Sequence, residues 1–144
     1  MSYMENIRSF NYEAFGRICE LISRHPYHQG KTLAAINNSI APAVKHGRCF
    51  TRSSEGKLTG FCTFGFFTRE EIDSDEGHGN TVYSRIDGDV LYFPKFHCEG
   101  GYQEVRSFTG AIRSWVSKCF PHHKSVEIKR EYISGRKRYG KVKI

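Results

Sequence analysis

A β-strand followed by two glycines and a long amphipathic helix constrains the fold of this 144-residue chain most. The strand spans Val90–Cys98, where Pro94 predicts an edge position or a bulge, because proline cannot donate a hydrogen bond to a neighbouring strand. Gly100 and Gly101 separate this strand from residues 105–120, whose apolar side chains recur with a helical period. Backbone amides at the start of such a helix can bind a phosphate group.

The first half of the chain combines two helical patterns with a hairpin. Residues 11–23 and 32–45 both carry apolar side chains at every third or fourth position, which predicts two helices. Pro42 interrupts the second pattern, so we expect that helix to stop before the proline or to bend there. Residues 48–52 and 58–66 then read as two strands joined by a turn.

The remaining segments complete an α+β pattern. Residues 73–80 are polar and glycine-rich, which predicts a surface loop; their acidic residues and histidine lack the ligand order of a calcium loop. Residues 125–132 and 137–142 predict two final strands with a turn between them. We therefore expect one domain over residues 1–144, with a mostly antiparallel sheet flanked by helices.

Composition excludes several classes of protein. No apolar run approaches the roughly 20 residues that span a bilayer, and the N-terminus has no apolar signal core, so we expect a soluble cytoplasmic protein. The five cysteines are odd in number and lack a Cys-x-x-Cys pair, which argues against a disulfide framework and a structural zinc site. Neither dinucleotide-binding nor Walker motifs occur. We expect no metal and no tightly bound cofactor.

The formal net charge of +7 is concentrated near the C-terminus. A basic surface of this kind can attract nucleic acid, an anionic membrane surface or an acidic protein, and it also favours solubility. The basic residues of this end are Lys124, Lys129, Arg130, Arg136, Lys137, Arg138, Lys141 and Lys143.

Four ionisable residues are candidates for catalysis: His28 near the start of the chain, and Lys95, His97 and Glu99 in and after the predicted strand 90–98. His28 follows the first predicted helix, and an imidazole can accept and return a proton near neutral pH; a histidine there also serves as a helix cap. Lys95, His97 and Glu99 share one face of an extended strand, because side chains alternate. Alternation also separates Cys98 from His97, which argues against a cysteine–histidine nucleophile pair.

The strand, glycine pair and helix resemble the arrangement of GNAT-type acetyltransferases. The whole chain further resembles the RTX toxin-activating lysine acyltransferases, which are small cytoplasmic proteins that fatty-acylate toxins. The resemblance rests on the order and spacing of short segments at residues 15–18, 26–28, 40–44, 51–52, 58–66, 88–89, 92–93, 118–121 and 140–142.

This resemblance implies a GNAT-like fold and a set of roles. His28 matches the histidine that acts as the catalytic base of the family. The family also has an essential aspartate, whose position in the family matches Lys95 when the two sequences are aligned from Gly88 and Asp89. A small shift of the alignment would match it to His97 or Glu99 instead. A lysine cannot orient a histidine as a carboxylate does. Gly100 and Gly101 would help to bind the phosphopantetheine arm of the acyl donor.

The resemblance also implies partners. The acyl donor would be acyl carrier protein, which is strongly acidic, or acyl-CoA. A lysine of an unidentified protein would accept the acyl group. The chain would form a homodimer. The basic residues Arg113, Lys118, Lys124, Arg136 and Arg138 are candidates to contact the carrier.

Two functions follow from these observations. The first is acyl transfer from acyl carrier protein, or a related thioester, to a protein lysine, with His28 as the base. The alternative is a non-catalytic binder of the same fold, of a kind that a phage would encode to block a host protein or nucleic acid. Its basic C-terminal sheet, with Arg136 and Arg138, would then carry the function.

Overall fold

The computed structural model describes residues 2–7, 12–24, 32–74, 79–131 and 137–143. Over these residues one six-stranded sheet has the order β1-β2-β3-β4-β5-β6. The elements are β1 (Ser2–Ile7), α1 (Tyr12–Arg24), α2 (Leu33–Lys45), β2 (Cys49–Ser54), β3 (Lys57–Phe67), α3 (Arg69–Ser74), α4 (Asn80–Tyr83), β4 (Val90–Cys98), α5 (Tyr102–Cys119), β5 (Ser125–Glu131) and β6 (Lys137–Lys143).

Strand pairing follows from chain connectivity. β1 to β4 pair antiparallel, as do β5 and β6, whereas β4 and β5 are parallel because α5 connects them as a crossover. The expected mostly antiparallel sheet with flanking helices is therefore confirmed, as is the hairpin of β2 and β3.

The sheet buries aromatic side chains on both faces. On one face, which we call the α5 face, Phe64 and Phe66 of β3 pack with Phe108 and Val116 of α5. On the other, the α1–α2 face, Phe61 packs with residues of both N-terminal helices, Leu21 among them. Alternation of side chains along the strands explains why β2 and β3 each contribute to both cores.

The structure departs from the sequence pattern at three places. α2 continues through Pro42 to Lys45, so the expectation that it stops before the proline is wrong; Ala43 and Val44 are fully buried, and the following backbone amides bond to carbonyls within the helix. The polar segment at the N-terminus forms β1, which obtains its hydrogen bonds from β2 rather than from a hydrophobic pattern of its own. The expected loop at residues 73–80 is partly helical, since it includes the end of α3 and the start of α4.

Pro94 lies at a bulge in an internal strand. β4 is bonded to β3 on one side and to β5 on the other, so the edge alternative is wrong. Register between β3 and β4 shifts between Thr63 and Gly65, which places an extra residue on β4 next to Pro94. The bulge alternative is thus confirmed, and it determines the shape of the site described below.

Candidate active site

β4 and β5 pair over a very short distance. Their register comprises only Tyr92 with Glu127 and Phe93 with Ile128, although both strands continue further. Pro94 comes immediately after the last pair, and it lacks the N–H group with which β4 would continue the ladder. The proline and its bulge therefore end the pairing and leave an opening between two neighbouring strands of the sheet.

A cavity of about 500 Å³ lies at this opening on the α5 face. Its volume falls in the range of small-molecule sites. Most of its walls are apolar, and two arginines of α5 contribute the charge. The lining residues are Phe93, Phe96, Tyr102, Val105, Arg106, Thr109, Gly110, Ile112, Arg113, Val126, Ile128 and Val142.

The start of α5 lies next to this cavity and requires glycine. Gly100 and Gly101 both have positive φ, 94° and 80°, a conformation that other residues rarely adopt. A Cβ added to Gly100 would also lie 2.7 Å from Cγ of Glu104. Gly101 is the N-cap residue and provides no side-chain hydrogen bond to the first turn. Amides at the N-terminus of a helix can bind an anion, and the role expected for Gly100 and Gly101 in binding the donor stays a prediction.

Arg52 fixes the first turn of α5 to the sheet. Its guanidinium donates from Nε to Oε2 of Glu104 at 2.8 Å and from Nη2 to Oγ of Ser107 at 2.9 Å. The arginine side chain is only 6% exposed. The sequence analysis did not identify Arg52 as a site residue, although the strand pattern contains a signal. Arg52 and Phe50 are two positions apart in a strand, so they share a face that is buried. A buried cation needs a carboxylate partner.

Lys95, His97 and Glu99 lie on the opposite, α1–α2 face of the sheet. The ring of His97 stacks on Phe61, with 6.1 Å between ring centroids and 20° between planes. Glu99 forms an ion pair with Arg24, the last residue of α1, at 3.8 Å. All three are partly buried, and Lys95 comes directly after the bulge. The expectation that these side chains share one strand face agrees with these contacts.

His28 lies outside the described residues. The same holds for Arg136, and the side chain of Arg138 is not described either. The roles expected for His28, Lys95, His97 and Glu99 therefore stay predictions. Among the other basic candidates, Arg113, Lys118 and Lys124 are exposed.

Cys98 is not a catalytic nucleophile in this arrangement. It packs against the core on the α5 face, whereas the ring of His97 lies on the other face. Burial raises the pKa of its thiol to about 11, with a further contribution from the charge of Glu104. The thiol therefore stays protonated at neutral pH, and the argument against a cysteine–histidine pair holds.

In the part of the chain that the structure describes, no helix combines the length and the apolar character needed to cross a bilayer.

Comparisons with known proteins point to one fold. No family model and no curated protein matches the sequence. Among solved structures, the chain is similar to the polyamine N-acetyltransferase of Drosophila melanogaster, with a TM-score of 0.59 and 11% identity over 92% of this chain and 77% of that chain. It is also similar to a GNAT-family acetyltransferase from Streptococcus agalactiae, with a TM-score of 0.56 and 10% identity over 92% and 77%.

A third similar structure contains the carrier of an acyl group. The diaminobutyrate acetyltransferase EctA from Paenibacillus lautus, in complex with its substrate L-2,4-diaminobutyric acid and coenzyme A, has a TM-score of 0.50 and 12% identity, over 91% of this chain and 66% of that chain. The comparisons do not confirm the narrower resemblance to RTX toxin-activating acyltransferases. The described architecture, a six-stranded mixed sheet flanked by helices, has the fold of the GNAT acetyltransferases.

Proposed function

We propose that this protein is an acyltransferase that moves an acyl group from a phosphopantetheine thioester to a primary amine. The observation that carries the proposal is the parting of β4 and β5 after Phe93 and Ile128, next to the glycine-led start of α5. An opening between these strands would give a long thioester access from one face of the sheet and an amine access from the other.

The donor would bind on the α5 face. A phosphate of the donor would accept hydrogen bonds from the N-terminal amides of α5, which Arg52 holds in place. The apolar cavity would contain the pantetheine arm and the acyl chain, and Arg106 and Arg113 would neutralise further phosphate charge. Coenzyme A carries all of these groups, so acyl-CoA is the donor that we favour; coenzyme A bound to a structure of the same fold supports this choice.

The acceptor amine would approach from the α1–α2 face, where Lys95, His97 and Glu99 lie. A neutral amine attacks the thioester carbon, so that a C–N bond forms and the C–S bond breaks. The amine nitrogen loses one proton to a base, and the departing sulfur receives a proton to leave as a thiol. Overall, an amine and a thioester become an amide and a thiol.

Two histidines are candidates for the base. His97 is the candidate within the described residues, while His28 is the candidate that the resemblance to toxin-activating acyltransferases implies. Glu99 is less suited to take the proton because Arg24 pairs with it, and this pair also connects the end of α1 to the site. Lys95 is a cation that can stabilise the oxyanion formed when the thioester carbon is attacked.

The finer assignment concerns the natural donor and acceptor. Acyl carrier protein bears the same phosphopantetheine arm as coenzyme A, and its acidic surface would suit the exposed Arg113, Lys118 and Lys124. A lysine side chain of a protein is a primary amine of the required kind. We therefore propose protein-lysine acylation as the reaction within this class, with acyl carrier protein as the alternative donor.

Turnover tests this proposal. The purified protein is incubated with acyl-CoA thioesters of increasing chain length, or with the same acyl groups on acyl carrier protein, together with an amine-bearing peptide library. Release of free thiol and a mass gain on the peptide equal to the acyl group are expected for wild type. H97A and H28A identify the base, since the variant that lacks it loses turnover while still binding donor. Absence of turnover with every donor would contradict the proposal.

A non-catalytic binder is the second candidate function. Lys141 and Lys143 are exposed on β6, which is an edge strand of the sheet, so this edge is basic and accessible. A binder predicts that H28A retains function, whereas charge reversal at Arg136 and Arg138 abolishes binding to an acidic partner or nucleic acid. An enzyme predicts the opposite order of sensitivity.

A further inference from the structure

Two histidines and one aspartate meet at the end of the sheet where β4 and β5 begin. Asp87 lies in the turn before β4, and His122 and His123 lie in the turn between α5 and β5. Nε2 of His122 is 2.6 Å from Oδ2 of Asp87, and Nε2 of His123 is 2.9 Å from Oδ1. The aspartate is 35 and 36 residues from these histidines in sequence, so the fold itself brings them together.

Neighbouring aromatic rings hold the two imidazoles in position. The rings of His122 and His123 are 4.4 Å apart, and His123 packs on Phe66 at 5.6 Å. The side chain of His123 is only 8% exposed, whereas that of His122 is 58% exposed. The backbone amide of Gly88 donates to Oδ1 of Asp87 at 2.8 Å, which orients the carboxylate. The buried His123 and the exposed His122 thus share the carboxylate of Asp87.

The donor set and its spacing suit a zinc ion. One ligand atom from each of the three side chains lies within 4.8 Å of the other two. In a tetrahedral zinc site with bonds of about 2.0–2.2 Å, ligand atoms are about 3.3–3.6 Å apart, so the Nε2–carboxylate distances of 2.6 and 2.9 Å would lengthen by about 1 Å or less around an ion. Two imidazoles and a carboxylate are common zinc ligands, and the exposed side of the cluster leaves a fourth position for water.

The protonation chemistry of the cluster also permits binding. An ionised carboxylate only accepts hydrogen bonds, so both Nε2 atoms carry a proton in the observed arrangement. A neutral imidazole can transfer this proton to Nδ1 through solvent, and Nε2 then offers its lone pair to the metal.

We propose that Asp87, His122 and His123 form a zinc(II) site that holds the starts of β4 and β5 together. These parallel strands share only two paired positions, so the junction has few hydrogen bonds of its own. Zinc would connect the turns that lead into both strands, at the end opposite the parted segment. The site is therefore separate from the acyl-transfer site, and its role is structural.

Zinc titration of metal-free protein tests this proposal. Protein treated with EDTA and then dialysed is titrated with zinc chloride by calorimetry, and its thermal unfolding midpoint is measured with and without zinc. We expect one equivalent to bind and the unfolding midpoint to rise by several degrees. The H122A variant changes an exposed residue and is expected to fold; its zinc affinity should fall at least about tenfold, with loss of the thermal shift.

Two controls make the outcome decisive. H46A removes another histidine, whose ring contacts Asn80 instead, and should bind zinc as wild type does. Cobalt(II) in place of zinc should give the visible spectrum of a nitrogen and oxygen site, without the thiolate charge-transfer band that cysteine ligands produce. Zinc binding that H122A and D87N leave unchanged, a thiolate band, or no binding by wild type would overturn the proposal.

Discussion

Individual residues determine where the proposed donor can bind. Pro94 ends the pairing of β4 and β5, and Gly100 and Gly101 permit the backbone that begins α5. From the sequence, a bulge at Pro94 and a special backbone at the two glycines could be predicted, but not that the proline ends the pairing of β4 with β5. Arg106 and Arg113 could not be recognised as cavity residues, because their position depends on how α5 lies over strands distant in sequence.

Charge reversal at the cavity arginines tests the donor site. The R106E/R113E variant should bind coenzyme A at least about tenfold more weakly than wild type, since two favourable contacts with phosphate become repulsive. Isothermal calorimetry at low salt measures this change. K118E is the matched control, because Lys118 is exposed near the end of the same helix and does not line the cavity. Equal losses in both variants would indicate general charge attraction and no defined site.

Thiol reactivity provides a second test at this scale. Cys119 is exposed, Cys49 and Cys62 are fully buried, and burial raises the pKa of the Cys49 thiol to about 12. Iodoacetamide at neutral pH should therefore modify Cys119 first, with Cys98 much slower, because the thiolate is the reactive form. Peptide mass spectrometry gives the order. Rapid modification of Cys98 would contradict its described environment and reopen a nucleophilic role for this cysteine.

The elements explain which parts of the fold were predictable. The hairpin of β2 and β3, the strand β4 and the helix α5 show clear local periodicity, and the structure confirms them. β1 was missed because its strand character comes from pairing with β2, not from its own composition. The continuation of α2 through Pro42 depends on burial of the residues that follow the proline, which local pattern does not reveal. Contacts between distant elements decided each of these cases.

The link between β2 and α5 is the element contact most relevant to the site. Arg52 reaches Glu104 across 52 positions of sequence, and no local pattern reveals that pairing. R52M should lower the free energy of unfolding by about 2–3 kcal/mol, because it leaves a partly buried carboxylate without its cation. It should also weaken binding of coenzyme A, since the first turn of α5 loses its anchor.

Urea unfolding of R52M measures the stability change, and R17M is the control. Arg17 pairs with Glu13 on the surface of α1, with half or more of each side chain exposed, so its loss should change stability little. If R52M is as stable as R17M and binds coenzyme A as wild type does, the anchoring role is wrong.

Stability of the whole molecule should depend on pH through a network beside the sheet. Oε2 of Glu71 accepts from Nη2 of Arg85 at 2.8 Å, and Glu71 also bonds reciprocally with Thr68 at the start of α3. The hydrogen bonds from Arg85 are the main cause that lowers the pKa of Glu71 from its ordinary 4.5 to about 2. A lowered pKa means that the ionised carboxylate stabilises the fold above pH 4.5 and that this contribution declines as pH falls towards 2.

The E71Q variant isolates this contribution. At pH 7 it should unfold more easily than wild type by about 1–2 kcal/mol, the value of a hydrogen-bonded charge pair that solvent partly screens. The difference should shrink steadily as pH is lowered from 4.5 towards 3, because the carboxyl of Glu71 takes up a proton in the unfolded chain while it stays ionised in the folded protein. Urea unfolding at a series of pH values gives the two curves. A difference that stays constant across this range would contradict the assigned role of Glu71.

The whole molecule combines a cavity on one face of the sheet with ionisable residues on the other. The fold class could be predicted from the order of the elements and the glycine pair. The opening could not, because it depends on the register of two strands that the long helix α5 separates. The same reason explains why the cluster of Asp87, His122 and His123 was not foreseen from the sequence.

Chemical-shift mapping with coenzyme A tests the central claim most directly. Titration of the isotope-labelled protein, followed by amide resonances, reports both whether the carrier binds and where. We expect saturable shifts concentrated at Gly101, the first turns of α5, and the β4 and β5 residues that line the cavity. No saturable shifts at millimolar coenzyme A, or shifts confined to the basic strand β6, would contradict the account and favour a binder that acts through its charged edge.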